Sequence, residues 1–255
     1  MMFFVELNDK RNNYIFNKLQ SLGYIVFEYK AEGEKQTASG SVSYIFAPAR
    51  KLSVADTRLF ESGSTVYGGE QTEVILAELD SLKIKYVNIL KSEKLTVQNA
   101  VLTAEGTLAL LIENTEKSIY DIKTLILGGG RVGKAVAALL TRLGVDTAIA
   151  NRSDLNYAAA YFFCKTALHF EELNEKIGEY DVIINTVPTE ILGEQLLAKV
   201  KPDALIMELA SAPCLNKLSL PKFTFKYLSA QSLPGKFSPI SAGEIILSEI
   251  LSNIK

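Results

Sequence analysis

The chain is poor in the residues that build disulfide and metal sites. It has two cysteines and one histidine in 255 residues, and Cys164 and Cys214 form no Cys-x-x-Cys pair. These counts argue against a disulfide framework and against a histidine-based metal site, so we expect no metal. A reducing cytoplasm is the simplest location for such a chain. We interpret His169 as a structural or surface residue, since it falls away from the expected cofactor region.

Strong net charge and long apolar runs are also lacking. The formal net charge is −2, which gives no electrostatic reason to expect a nucleic-acid partner or an anionic membrane surface. No uninterrupted apolar run approaches the roughly 20 residues that span a bilayer. The apolar start at residues 1–7 is too short for a signal peptide and lacks a basic leader, so it predicts a first strand. Hydrophobic residues make up 48% of the chain, enough for the core of one large or two small domains.

The most informative pattern is a glycine-rich turn within residues 123–152. The apolar residues 124–127 predict a short buried strand, and Gly128, Gly130 and Gly133 follow as G-x-G-x-x-G. A helical pattern, a capping glycine and a second strand come next. This βαβ context makes the turn a dinucleotide-binding fingerprint. The alternative is a glycine turn in a Rossmann-like domain that binds nothing.

Each glycine of the fingerprint has a physical reason. Gly128 lets the chain turn sharply off the strand, Gly130 lets the backbone approach a pyrophosphate, and Gly133 lets the helix pack closely on the strand. The helix start offers unpaired N–H groups and a positive dipole end to the phosphates. We therefore also predict Arg131 and Val132 as cofactor contacts.

The end of the second strand bears on the choice between NAD and NADP. An NAD site usually has an acidic residue there for the ribose 2′-hydroxyl, whereas this chain has Asn151, Arg152 and Ser153. A guanidinium attracts a 2′-phosphate that a carboxylate would repel, and the two neighbours add neutral hydrogen-bonding groups. We predict NADP, with NAD as the alternative and a solvated arginine as the plain interpretation of Arg152.

Loops that follow the later strands should also face the cofactor, because ligands of parallel sheets bind outside the carboxyl ends of the strands. We predict Thr186, Val187 and Pro188 in one loop and Ala210 in the next as cofactor contacts, although a plain strand-ending turn is the alternative. Ser211 could meet the nicotinamide or the substrate. A turn serine that bonds its own backbone explains it equally well.

Alternating strand and helix patterns predict two α/β domains. Residues 1–95 form an N-terminal substrate or catalytic domain with a smaller, flavodoxin-like parallel sheet, in which the polar residues 30–41 are a loop. Residues 96–122 are an interdomain helix and linker. Residues 123–240 form the Rossmann-type, doubly wound NAD(P)-binding domain, and residues 241–255 a C-terminal helix.

Several motifs taken together resemble the family of the dipicolinate synthase A chain. They are Asn99 with Thr103-Ala104-Glu105-Gly106-Thr107, the fingerprint Gly128 to Gly133, Ile184-Asn185-Thr186-Val187-Pro188, Glu208-Leu209-Ala210-Ser211 with Pro213, and Leu233-Pro234-Gly235 with Pro239, Ala242 and Gly243. The resemblance runs from about Asn99 to the C-terminus and is specific through the order of the motifs. The family tends to have a basic residue after the last proline, where this chain has Ile240, and Lys236 is the candidate replacement.

The resemblance implies an NADP(H)-dependent dehydrogenation of a dihydro- or tetrahydrodipicolinate, a product of the lysine pathway, to the dipicolinate of bacterial spores. Hydride would pass to the nicotinamide, and aromatisation of the ring would supply the driving force. The small dicarboxylate substrate would lie between the domains, and the first domain would resemble the catalytic domain of formate/glycerate-type dehydrogenases. The expected partner is a second, flavoprotein-like subunit, and we also expect a homo-oligomer.

Candidate residues for the reaction follow from this resemblance. We expect a helix to start near Thr103 as its N-cap, which would put Glu105 in the first turn as the acid/base residue. The alternative is a carboxylate that only complements the helix dipole. Asn99, Thr103 and Ser211 are candidate donors to the substrate carboxylates. Arg50 is the candidate counter-ion in the first domain, with a solvated arginine as the alternative.

Two other functions stay open at this stage. Dehydrogenases of the shikimate or tetrapyrrole-precursor kind share the Asn-Arg and Asn-Thr-x-Pro patterns, although no shikimate-type Lys/Asp pair can be placed in the first domain. A nucleotide-sensing module without chemistry is the second alternative, because obvious acid/base residues are scarce.

Overall fold

The computed structural model describes residues 1–31 and 40–254 as an α/β protein. Most of the loop predicted at residues 30–41 therefore lies outside the described residues. The strands are β1 (Met2–Val5), β2 (Ile25–Glu28), β3 (Val42–Ile45), β4 (Thr65–Gly68), β5 (Lys85–Asn88), β6 (Lys123–Leu127), β7 (Asp146–Asn151), β8 (Thr166–His169), β9 (Val182–Asn185), β10 (Leu205–Glu208) and β11 (Lys226–Ser229).

The helices alternate with these strands for most of the chain. They are α1 (Lys10–Ser21), α2 (Val54–Leu59), α3 (Glu73–Ser81), α4 (Glu93–Asn114), α5 (Arg131–Arg142), α6 (Asp154–Ala160), α7 (Leu173–Lys176), α8 (Glu194–Leu197), α9 (Leu233–Phe237) and α10 (Pro239–Ser252). Short 3-10 turns lie at Ile89–Lys91, Phe170–Glu172, Ile177–Glu179 and Lys217–Lys222.

The chain forms two compact units, Met1–Asn99 with Pro234–Lys255, and Ala100–Leu233. The first unit has a parallel sheet in the order β2-β1-β3-β4-β5. This is the flavodoxin order, so the predicted flavodoxin-like sheet is confirmed. Helices cover the strands, and β3 is buried along its whole length, as expected for a parallel strand packed on both faces.

The C-terminal helix belongs to the first unit, whereas the sequence indicated a segment of its own. α10 packs against α1, and both contribute to one apolar cluster through Ile15, Leu19 and Ile246. The approach is close at Gly243, where a Cβ would lie 2.8 Å from the Arg11 carbonyl oxygen. The chain thus returns to its first unit after completing the second.

The second unit has a six-stranded parallel sheet in the order β11-β10-β9-β6-β7-β8. This is the doubly wound Rossmann order, whose topological switch point lies between β6 and β9. The predicted Rossmann-type domain is confirmed. The residues that we predicted as cofactor contacts follow the carboxyl ends of β6, β7, β9 and β10.

The prediction that a helix starts near Thr103 is wrong, because α4 begins ten residues earlier at Glu93. Ser92 is the residue that caps it, since its Oγ accepts from the amide of Leu95 at 3.3 Å and its carbonyl accepts from the amide of Thr96 at 3.0 Å. Thr103 is interior to the helix. Both residues are cap-forming types, so the sequence alone did not decide between them.

Among the described residues, α4 is the helix that by length and composition could cross a membrane. Its sequence contains no uninterrupted apolar run long enough to span a bilayer, because polar residues lie between the apolar ones. Of its most apolar window, 44% is buried inside the protein. A single helix of this kind is weak evidence for a membrane span, since a buried core helix meets the same two criteria.

Candidate functional site

The turn between β6 and α5 has room only for glycine at its first position. Gly128 has φ +99°, a left-handed conformation that side chains disfavour. Its amide donates to the Ala150 carbonyl at 2.9 Å. A Cβ on Gly128 would lie 2.5 Å from Val187 Cγ2 and 2.7 Å from Thr186 Oγ1. The sharp turn off β6 is therefore fixed by backbone conformation and by contacts with the loop after β9.

The other glycines of the fingerprint have distinct surroundings. A Cβ on Gly133 would lie 1.9 Å from the Gly128 carbonyl oxygen, whereas a Cβ on Gly130 would meet nothing within 4 Å. Gly130 is the N-cap of α5 and supplies no side-chain hydrogen bond. The start of this helix thus has open space beside Gly130 and no side-chain hydrogen bond from its N-cap residue, which is the arrangement that receives a phosphate.

We refer to the glycine turn Gly128–Gly133 and the start of α5 as the cradle, and two of its residues carry larger side chains. Arg131 is exposed and Val132 half-buried. A nicotinamide dinucleotide fits the cradle, because its diphosphate can approach the backbone at Gly130 and the dipole end of α5 favours negative charge. The sequence analysis did not predict that Gly129 also has to be small. A Cβ there would lie 2.4 Å from Asn151 Oδ1.

At the end of β7 lie one charged side chain and two polar side chains that are hydrogen-bonded within the protein. Asn151 is buried and donates through Nδ2 to the Asn156 carbonyl at 3.2 Å, while Ser153 Oγ accepts from the Asn156 amide at 3.3 Å and caps α6. Arg152 is exposed and makes no ion pair with any described residue. The predicted neutral groups at Asn151 and Ser153 therefore hold the turn, and Arg152 carries the positive charge.

The loop after β9 is tied to the glycine turn by Thr186. Its hydroxyl donates to the Leu127 carbonyl at 2.8 Å and lies 3.2 Å from the Gly128 carbonyl. Val187 is half-buried and Pro188 exposed at the same edge of the sheet. The structure thus brings together the predicted contacts from the fingerprint and from this loop.

A buried glutamate at the end of β10 was missed by the site prediction. Glu208 is 1% exposed, and its carboxylate accepts from Asn185 Nδ2 at 2.7 Å, from the Ala210 amide at 3.1 Å and from the Cys214 amide at 2.7 Å. Burial and the nearby Glu208 charge raise the pKa of the Cys214 thiol above its usual value, as is typical of a buried structural cysteine. The available signal was a carboxylate at the end of an otherwise apolar strand.

The predicted substrate residue Ser211 follows Ala210 and is exposed. Gln231 Nε2 donates to the Ala210 carbonyl at 2.8 Å and holds the start of this loop. The substrate role of Ser211 stays a prediction.

In the first unit, Arg50 already has two acidic partners. Its Nε lies 3.0 Å from Glu6 Oε1 and its Nη2 3.1 Å from Asp56 Oδ1. Burial lowers the pKa of Arg50, but the hydrogen bond to Glu6 and the charge of Asp56 outweigh it and leave the pKa raised. A substrate carboxylate would compete with these two acids. Lys236 is exposed, with Nζ 4.9 Å from the Phe237 ring centroid.

The candidates on α4 do not share one face of the helix. Thr103 is half-buried and Glu105 exposed, and two residues correspond to about 200° of rotation around a helix. Asn99, which is half-buried, lies four residues before Thr103 and therefore on the same side. Glu105 is in the middle of α4 and not in its first turn, which removes the helix dipole as its explanation.

The single histidine has an aromatic partner. The ring of His169 stacks on Tyr157 with centroids 4.0 Å apart, in agreement with a structural role. Among residues 1–31 and 40–254, no group of three or more His, Cys, Asp or Glu side chains could hold a metal ion.

A nicotinamide-dinucleotide domain is what this fold and cradle define, and comparison with known families gives the class. Residues 94–224, about half of the chain, match the family described as "D-isomer specific 2-hydroxyacid dehydrogenase, NAD binding domain". The chain belongs to this family, and by class it is an NAD(P)-dependent oxidoreductase.

The resemblance to the A chain of dipicolinate synthase is also confirmed. The protein of that name from Bacillus subtilis (strain 168) is 32% identical over 177 residues, which cover 68% of this chain and 60% of the relative. The match thus spans less than two thirds of that relative's length.

Two solved structures of dipicolinate synthase share the fold of this chain. The crystal structure of the A chain from Bacillus halodurans has a TM-score of 0.84 at 20% identity and covers 99% of this chain and 96% of that chain. The A chain from Bacillus subtilis has a TM-score of 0.83 at 24% identity, with 100% and 95% covered.

Proposed function

We propose that this chain dehydrogenates a dihydro- or tetrahydrodipicolinate to dipicolinate, for bacterial spores, with NADP as its cofactor. The observation that carries the proposal is the open space beside Gly130, the N-cap residue of α5, which itself supplies no side-chain hydrogen bond to the helix. The similarity to the A chain of dipicolinate synthase supports the substrate. The exposed Arg152 at the end of β7 supports NADP over NAD, because its charge matches the extra phosphate.

The chain's own residues would bind and orient both molecules. The amides at the start of α5 hold the diphosphate, and Arg152 binds the 2′-phosphate. When bound, the nicotinamide ring supplies the hydride acceptor. Oxidation of a dihydrodipicolinate releases one hydride and one proton, so a base on the protein must accept the proton.

The groups that handle the substrate are proposed from the sequence. The proposed proton acceptor is Glu105, and the proposed donors to the substrate carboxylates are Asn99, Thr103 and Ser211. Because Glu105 lies about 200° around α4 from Thr103, the two sides of this helix are alternative places for the substrate. Two basic residues, Arg50 and Lys236, balance the charge of the dicarboxylate, although Glu6 and Asp56 already share the charge of Arg50. We further propose that the working assembly is a homo-oligomer with a second, flavoprotein-like subunit.

Turnover tests the proposal directly. We expect NADPH to form when the full chain, with and without a flavoprotein-like partner, is given NADP and dihydrodipicolinate generated in situ. Glu105→Gln should lower kcat by about 100-fold, the usual size of a lost general base, whereas Glu113→Gln on the same helix should not. Full activity of Glu105→Gln would assign the proton to another group. An absence of turnover with either assembly would reject the dehydrogenation.

A further inference from the structure

A buried carboxylate joins the loops at the carboxyl ends of β9 and β10. Glu208 Oε1 accepts from Asn185 Nδ2 at 2.7 Å and from the Ala210 amide at 3.1 Å, while Oε2 accepts from the Cys214 amide at 2.7 Å. The side chain is 1% exposed, so water cannot replace these donors. A single buried group therefore fixes both ends of the segment 210–214.

Asn185 extends this connection to the neighbouring loop. It is fully buried, its Oδ1 accepts from the Val187 amide at 3.1 Å, and its Nδ2 donates to the Val187 carbonyl at 2.9 Å. We refer to Asn185 and Glu208 as the clasp. Through the clasp, the backbone of Val187 is linked to the backbone of Ala210 and Cys214.

The chemistry of the clasp requires a carboxylate at position 208. Burying a charge is costly unless donors surround it, and here three donors converge on a group that only accepts hydrogen bonds. A glutamine has one accepting oxygen and would turn its own N–H groups toward a donor. An amide could therefore fill the same space but could not hold both Ala210 and Cys214, the two ends of the segment 210–214.

The clasp and the glycine turn lie in different halves of the six-stranded sheet. The switch point falls between β6 and β9, so β9 and β10 belong to the second mononucleotide-binding half. The glycine turn and Arg152 belong to the first half, which takes the adenosine side. The loops that the clasp fixes are therefore those beside the nicotinamide side of a bound dinucleotide.

We propose that Glu208 is a positioning residue for the nicotinamide half of the cofactor. It acts through Asn185 and through the amides of Ala210 and Cys214, which keep the loops after β9 and β10 in place beside that half. The proposal rests on the proposed function, since it requires that the second unit binds a nicotinamide dinucleotide. It predicts that loss of the Glu208 carboxylate weakens binding of the nicotinamide half of the cofactor and leaves binding of the adenosine half unchanged.

The difference between the two halves is measured with two ligands and one pair of variants. In Glu208→Gln, we expect the affinity for NADPH to fall by about tenfold or more, as for a buried hydrogen-bonding group left without its partner, and the affinity for 2′-phospho-ADP-ribose to change less than about twofold. The control Glu171→Gln also removes one negative charge, from an exposed position in the same unit, and should leave both affinities unchanged. Unchanged NADPH affinity in Glu208→Gln, or an equal loss for both ligands, would overturn the proposal.

A wild-type measurement covers the case in which Glu208→Gln does not fold. In the wild-type chain without cofactor, hydrogen exchange at the amides of Ala210 and Cys214 should be slow. Fast exchange there counts against the clasp. If the wild-type chain binds neither ligand, the proposed function has failed, and slow exchange would show that the clasp exists without a cofactor to position.

Discussion

At the scale of the residue, Gly133 has the tightest surroundings in the site. A Cβ there would lie 1.9 Å from the Gly128 carbonyl oxygen, and backbone cannot move aside as a flexible side chain can. We predict that Gly133→Ala abolishes dinucleotide binding and destabilises the protein by about 1–3 kcal/mol, the usual cost of overpacking. The control Gly193→Ala introduces a methyl group into open space. Calorimetry and denaturant unfolding check both variants, and equal behaviour of the two would contradict the close packing.

The residue scale also shows which contacts sequence reasoning can find. The sharp turn at Gly128 and the close packing at Gly133 were predictable because the motif is local and its spacing is fixed by the turn. The partners of Arg50 were not, since Glu6 and Asp56 meet it only when separate segments of the first unit fold together. Glu208 was missed for the same reason, because its donors come from two different loops.

At the scale of the element, the start of α4 gives a direct test of helix capping. Ser92 Oγ accepts from the Leu95 amide and also donates to Glu249 Oε2 of α10 at 2.9 Å. We predict that Ser92→Ala lowers the free energy of unfolding by about 1 kcal/mol, the typical value of an N-cap. Ser81→Ala is the control, since its exposed hydroxyl bonds only the Glu78 carbonyl at the end of α3. The same small change in both variants would show that Ser92 is not the cap.

The start of β9 gives a pH-dependent test at the same scale. Asp181 accepts from the Lys123 amide at 2.9 Å and pairs with Lys201 at 3.0 Å. Burial raises the pKa of Asp181, but the bonds from Lys123 and Lys201 outweigh it and leave the pKa lowered. A carboxyl group with a lowered folded-state pKa stabilises the protein above its unfolded pKa and loses that effect as the pH falls through the folded value.

Asp181→Asn should therefore lower the melting temperature at about pH 7 and have progressively less effect at or below about pH 4. The control Asp146→Asn, at the exposed start of β7, should have little effect at either pH. Thermal unfolding at both pH values checks the pair. A destabilisation of Asp181→Asn that is the same at both pH values would exclude the charged interactions as its cause.

At the scale of the whole molecule, the alternation of strands and helices sufficed to predict two parallel sheets. Right-handed crossovers between such strands limit the possible topologies, and the structure has the flavodoxin order in one sheet and the Rossmann order in the other. The membership of α10 in the first unit was not predictable in the same way, because its apolar face has no sequence signal for which unit it covers. Its contact with α1 through Gly243 becomes visible only in the fold.

The central claim is that the chain binds a nicotinamide dinucleotide and that Arg152 selects NADP over NAD. Its most direct test is calorimetric titration of the full chain with NADPH and with NADH. We predict that the wild-type chain binds NADPH more tightly than NADH by about 10- to 100-fold, the range for hydrogen bonds to a charged group. Arg152→Glu should reverse this preference, while Arg142→Glu, at the exposed end of α5, should leave it unchanged. Equal affinities for the two dinucleotides before and after the change at Arg152, or no heat of binding for either, would contradict it.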